Sequence, residues 1–211
     1  MFWDKISPLY DLFENLYNRK VYHTTGLRVA EEINGDDVVL ECACGTGAIS
    51  VHIAEKCRLL FATDLSAVMR RSTFGKCHGM RNVVVRKADI MGIHCRDNTF
   101  DKVVAGNVIH LIDHPVDAVN ELLRVCKPGG KVIIPTYINN EGKKRKAVKL
   151  LELMGADFKR QFDLAGYSEF FRSNGFQNTD IYVVSGRMPC AIAVVTKPET
   201  AAVQEISQEN K

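Results

Sequence analysis

The chain has 211 residues, enough to bury one substantial core and slightly more than the common single-domain range. With a formal net charge of only +3, it lacks the basic excess that by itself would point to a nucleic acid or a membrane surface as partner. Seven cysteines, an odd number, accompany an N-terminus, Met1-Phe2-Trp3-Asp4-Lys5, that is charged at once, so the expectation is a reducing, cytoplasmic setting and not a secreted disulfide framework.

In residues 1–34, Trp3, Ile6, Leu9, Tyr10, Leu12, Phe13, Leu16 and Tyr17 recur at roughly helical spacing and form a face that needs something to cover. Two readings stay open: plain core, or a pocket wall to which Tyr10, Tyr17, Tyr22 and His23 contribute. The run Val38-Val39-Leu40 then fits a strand buried on both faces of a parallel sheet, and Gly45 and Gly47 offer open backbone where a ligand must come close. Glu41, at the strand's end, changes what that ligand can be. A carboxylate there attracts an ammonium group and repels a pyrophosphate, which argues against a dinucleotide.

Glu41-Cys42-Ala43-Cys44-Gly45-Thr46-Gly47 resembles the first motif of the class I S-adenosylmethionine-dependent methyltransferases, an acid followed by alternating glycines. Ala43 stands where the family usually has its first glycine, and a methyl group fits there only if the backbone angle is ordinary. Cys42 and Cys44, read as alternating on the strand, are expected on one face as small apolar fillers; no second pair has zinc-ligand spacing, so no metal is expected.

Leu59-Leu60-Phe61-Ala62-Thr63 reads as a second buried strand ending at Asp64, an acid spaced to accept ribose hydroxyls. The alternative is that Asp64 caps the helix that follows, which runs through Cys77. A third strand, Val83 to Lys87, leads to Asp89. The resemblance implies that Asp89 receives the adenine amino group, with Ile90 or Met91 on one face of the ring and Leu65 on the other; the bland reading of Asp89 is a turn former. The fourth strand, Phe100 to Ala105, runs into Gly106-Asn107, and in the family this loop lies beside the methionine part of the cofactor.

Apolar residues at Val119, Leu122, Leu123 and Cys126 mark a helix stopped by Lys127-Pro128-Gly129-Gly130, and Lys131 to Tyr137 is the fifth strand. Glu121 to Gly130 closely resembles a helix-and-turn signature of small-molecule methyltransferases, and its role is structural. Between Asp180–Ser185 and Cys190–Thr196 only Gly186-Arg187-Met188-Pro189 intervenes, which permits a hairpin but no parallel crossover. The expected fold is therefore α/β and Rossmann-like: a seven-stranded, mostly parallel sheet with helices on both faces and an antiparallel strand from the C-terminal hairpin.

One methyltransferase domain is expected over 1–198, with an N-terminal helical lid at 1–34, a substrate-side insertion at 139–175 and a disordered tail at 199–211. Tyr10-Asp11 resembles a pair in the lid of ubiquinone/menaquinone-type methyltransferases, which places Tyr10 with the cofactor-binding residues Glu41, Ala43, Gly45, Gly47, Asp64, Leu65, Asp89, Ile90 and Asn107. The activity implied is methyl transfer from S-adenosylmethionine, by in-line displacement, to an O, S, N or C nucleophile of a small organic acceptor, with S-adenosylhomocysteine as product. His110, which matches a histidine often present in that loop of the family, His23 and Tyr137 are the candidate catalytic groups. Two other functions fit the same residues: methylation of RNA or protein, suggested only by the basic Lys143 to Lys149 region with its run Lys143-Lys144-Arg145-Lys146, and cofactor binding without turnover, as in a regulator.

Overall fold

The computed structural model describes residues 18–139 and 159–199. Seven strands form one sheet: β1 (Val38–Cys42), β2 (Leu59–Thr63), β3 (Val83–Arg86), β4 (Phe100–Ala105), β5 (Cys126–Tyr137), β6 (Thr179–Val184) and β7 (Cys190–Thr196). Their order is β3-β2-β1-β4-β5-β7-β6. The first five are mutually parallel, and β7 lies antiparallel between β5 and β6. The short Gly186–Pro189 link does close a hairpin, as its length requires.

Side chains alternate across the sheet and so build two cores. Leu40, Val103, Ile134 and Ala193 face one, with Leu122 of helix α4 (Pro115–Val125) and Phe171 of α5 (Leu164–Ser173). Val39, Val104, Ile133 and Ile192 face the other, with Val29 of α1 (Arg19–Ala30) and Ile53 of α2 (Ser50–Ala54). The remaining helix, α3 (Ala67–Lys76), follows β2 and is capped by Ser66, whose Oγ accepts the Met69 amide at 3.1 Å. Ser66, and not Asp64, is thus the helix cap.

Two local expectations need correction. Cys126 does not end α4; it begins β5 and pairs with Phe100. Between Phe100↔Cys126 and Lys102↔Lys131 the register shifts, so Lys127-Pro128-Gly129-Gly130 bulges opposite Asp101 alone. A side chain at Gly130 would meet the Asp101 carbonyl at 2.6 Å, which explains why glycine stands there. The second correction concerns Cys42 and Cys44, which sit in opposite cores because the strand ends at Cys42 and the chain turns at Ala43.

The sheet order reverses between β1 and β4: β2 follows on one side of β1, β4 on the other. Beyond the carboxyl ends of strands at such a point the connections diverge and leave a crevice.

Candidate functional site

That crevice is occupied by a cavity lined by the β1 turn (Glu41, Ala43 to Thr46, Ala48, Ile49), the end of β2 (Asp64 to Ser66), Met69, Ala88 and Ile90 after β3, and Gly106 to Val108 and Leu111 after β4. Tyr22 of α1 completes the wall, its hydroxyl 3.4 Å from Thr46 Oγ1.

The turn is held by its neighbours more than by itself. Cys44 N donates to the Thr63 carbonyl at 2.9 Å and Gly47 N to the Cys44 carbonyl at 3.0 Å. Asp64 accepts the Gly45 amide at 3.0 Å through Oδ2 and the Ser66 amide at 2.8 Å through Oδ1. Thr73 of α3 donates to the Gly45 carbonyl at 2.8 Å. Asp64 therefore does local structural work as well as lining the cavity.

Gly45 and Gly47 part company here. Both have positive φ, 55° and 85°, but only Gly45 lines the cavity. A Cβ on Gly47 would lie 2.8 Å from Thr73 Cα, so Gly47 serves the packing of α3 and not the approach of a ligand. Ala43 also has positive φ, 54°, a left-handed conformation that its side chain disfavours; the backbone angle there is not ordinary.

Glu41 is 2% exposed, and Ser50 Oγ donates to its Oε2 at 2.5 Å. Burial pushes its carboxyl up to about 8, the nearby Asp64 charge adds to that, and the Ser50 hydrogen bond opposes it. Burial likewise raises the thiols, Cys42 to about 12, so both turn cysteines are neutral fillers.

The remaining expected residues divide. Leu65, 38% exposed, and Ile90 lie on the wall as the adenine-cover reading requires, whereas Met91 does not. Asp89 is flanked by the lining residues Ala88 and Ile90 but does not itself line the cavity; its Oδ1 accepts the Met91 amide at 2.9 Å in a tight turn. Asn107 lines it in a left-handed conformation, φ 52°, and its Oδ1 accepts the Tyr137 amide at 3.1 Å. Tyr10 and the Lys143 to Lys146 run lie outside the described residues.

None of the three candidate catalytic groups is on this wall. His23 is exposed, with its ring edge-on to His52 at 5.0 Å. Tyr137 packs against the core that contains Val39 and Ile133. His110 sits in a single 3-10 turn, Ile109–Leu111, whose neighbours Val108 and Leu111 do line the cavity; its own ring is buried and thereby lowered to about 4, hence neutral near pH 7.

Sequence reasoning missed Ser50, Thr46 and Thr73. The available signal was position: Ser50 lies on the first turn of the helix after the glycines, close behind Glu41 in space.

These residues fit S-adenosylmethionine. The cavity offers the buried carboxyl of Glu41 beside the half-buried Gly45, the carboxyl of Asp64 at the end of β2, and apolar surface from Leu65, Met69, Ala88 and Ile90, a set that suits a ligand with an ammonium end, hydroxyls and a flat ring. Among the described residues no group of three or more His, Cys, Asp or Glu is placed to hold a metal, and no helix is long and apolar enough to cross a membrane.

A family model for a methyltransferase domain matches residues 40–134. The chain is 28% identical over 138 residues to a ubiquinone/menaquinone biosynthesis C-methyltransferase of Bdellovibrio bacteriovorus, covering 63% of this chain and 58% of that one. It is 24% identical over 204 residues to a demethylmenaquinone methyltransferase of Lactiplantibacillus plantarum, covering 83% and 86%. The chain thus spans little more than half the length of several curated relatives it matches. Among solved structures, a Haemonchus contortus phosphoethanolamine N-methyltransferase in complex with phosphomonomethylethanolamine and S-adenosylhomocysteine aligns with a TM-score of 0.70 at 15% identity, covering 93% of this chain and 58% of that one.

Proposed function

We propose that this chain, which belongs to the class I S-adenosylmethionine-dependent methyltransferases, transfers a methyl group to an O, S, N or C nucleophile of a small organic acceptor. The observation that carries the reading is the meeting of Glu41, Gly45 and Asp64 on one cavity wall beyond the ends of β1 and β2. When bound, S-adenosylmethionine supplies an electrophilic methyl group on sulfur. The residues of the chain bind and orient: Glu41 meets the ammonium end, Asp64 the ribose hydroxyls, and Leu65 and Ile90 the two faces of the adenine. Gly106, Asn107, Val108 and Leu111, after β4, line the part of the cavity left for the acceptor, and the apolar side chains of Val108 and Leu111 help to exclude water there.

The acceptor class follows from two supports. Tyr22, on the helix that ends the 1–34 segment, contributes an aromatic wall to the cavity, and curated relatives bear names of quinone-type methyltransferases. A planar phenol or hydroquinone is therefore the first acceptor to try. The segments 1–34 and 139–175 select it within a single domain spanning 1–198, and His110 is the candidate base because its loop reaches the cavity.

The test is incubation with methyl-labelled S-adenosylmethionine and a panel of hydroquinone, phenol, thiol and amine acceptors, measuring labelled product and S-adenosylhomocysteine. Transfer to a panel member is expected. Tight binding of the donor with no transfer to any acceptor would instead favour a regulator that only binds it. If His110→Ala transfers at the wild-type rate while binding persists, His110 is no base.

A further inference from the structure

Two carboxyl side chains are buried among the described residues, Asp37 and Glu41. Asp37 is ion-paired with Lys102 at 3.3 Å. Glu41 has no such partner among the described residues; its carboxyl accepts one hydrogen bond, from the fully buried Ser50, and lies on the wall of the ligand cavity. An ionised carboxylate held by a single hydroxyl in a buried site has given up most of its hydration without a counter-charge.

We propose that Ser50 is a positioning residue that holds one oxygen of Glu41 so that the other meets the cavity, and that this carboxyl is uncharged in the empty protein and gives up its proton when an ammonium group enters. The carboxyl O–H bond breaks, the proton passes to solvent, and the carboxylate formed pairs with the incoming ammonium; nothing is oxidised or reduced. The inference rests on the methyl-donor reading of this cavity.

Among the described residues, the groups around Glu41 all leave it uncompensated. Asp64, at the end of β2, faces it with a like charge, and the thiols of Cys42 and Cys44 are held neutral by burial. The Thr63 hydroxyl goes to the main-chain carbonyl of Glu41 at 2.9 Å, not to its carboxyl. Lys76 of α3 reaches the turn, but its Nζ donates to Thr46 Oγ1 at 3.1 Å. His52 of α2 packs its ring on His23. With burial holding the carboxyl near 8, an entering cation supplies the charge that the site lacks.

The prediction is read by titration calorimetry of the full chain at pH 7 in phosphate and in Tris, whose ionisation enthalpies differ. Binding of S-adenosylhomocysteine should release about 0.9 proton, the protonated fraction of a group titrating near 8. The same value is expected for S-adenosylmethionine, since both carry the ammonium. 5′-Methylthioadenosine, which has the nucleoside and thioether but no amino-acid part, should release none. Affinity for S-adenosylhomocysteine should rise about tenfold per pH unit between roughly 6 and 7.5 and then level off. Ser50→Ala should weaken that binding about tenfold or more and move the levelling-off to higher pH, and Ser50→Thr should restore both. Glu41→Gln should bind without releasing a proton. Wild-type binding whose enthalpy is the same in both buffers overturns the proposal and leaves the donor reading intact, and needs no variant to fold. No binding of S-adenosylmethionine or S-adenosylhomocysteine overturns the donor reading and this inference with it.

Discussion

Ala43 occupies a conformation, φ 54°, that glycine reaches freely and alanine does not. Replacing it by glycine is expected to stabilise the protein by about 1 kcal/mol, the usual order for an alanine relieved of positive φ, visible as a higher urea midpoint at unchanged slope. Two buried groups set opposite pH limits. Glu41 rises from 4.5 to about 8 on folding, so its favourable contribution is complete below pH 4.5 and is lost as the pH climbs through 8. His110 falls from 6.5 to about 4, so its contribution is complete above 6.5 and is lost as the pH drops through 4. Their slopes cancel between 4.5 and 6.5, and from there to pH 8 Glu41 acts alone, costing the empty protein about 2 kcal/mol at 1.36 kcal/mol per pH unit. Denaturant titrations at the two ends of that interval should show the fall in the wild type and a flat profile in Glu41→Gln. At this scale the presence of Glu41 and Asp64 on the cavity wall was legible because strand ends bring them to one edge of the sheet, whereas Asp89, read the same way, turns to the Met91 amide instead. Ser50 and Thr73 were not, since a hydroxyl on a helix has no pattern that announces which buried partner it meets.

Arg160 shows the same limit between elements. Its guanidinium donates to the Ile112 carbonyl at 2.7 Å and the Asp113 carbonyl at 3.1 Å, while its own amide donates to the His110 carbonyl at 3.1 Å. One residue thereby clasps the loop that presents Val108 and Leu111 to the cavity. Nothing in residues 159–163 or 108–113 read singly connects them, because the contact depends on how the chain returns after β5. Arg160→Ala is expected to cost about 1–2 kcal/mol, discounted for the part-exposed side chain, and to speed amide exchange in 108–113 about tenfold. Unchanged exchange there would mean that the clasp holds nothing. The glycine bulge before Lys131 was legible as a break but not as part of β5, since the same residues that stop a helix also permit a bulge. Gly130→Ala, placing a methyl group 2.6 Å from a carbonyl oxygen, should lower thermal stability by about 1–3 kcal/mol.

Across the whole molecule the sheet is complete only through its C-terminal hairpin. β7 is apolar and buried from Cys190 to Val195, and it covers the edge of β5 while β6 covers its own. A chain ending at Asn178 would expose the β5 edge and both cores, and is expected to show no cooperative thermal transition. That antiparallel strand was legible from the length of the Gly186–Pro189 link alone, because four residues cannot make a crossover. What was not legible is how the hairpin's turn reaches the start of α1: Asn18 Nδ2 donates to the Met188 carbonyl at 2.9 Å, and the Met188 amide donates to Asn18 Oδ1 at 3.3 Å. These residues are 170 positions apart, yet the helix they anchor carries Tyr22 into the cavity wall. During synthesis the glycine turn leaves the ribosome long before Met188, so the clasp that fixes the start of this helix closes only after the hairpin has emerged. Until then the helix packs through Val29 against the core around Ile53 with its start untied, and the wall that Tyr22 supplies is the part of the cavity that depends on the hairpin.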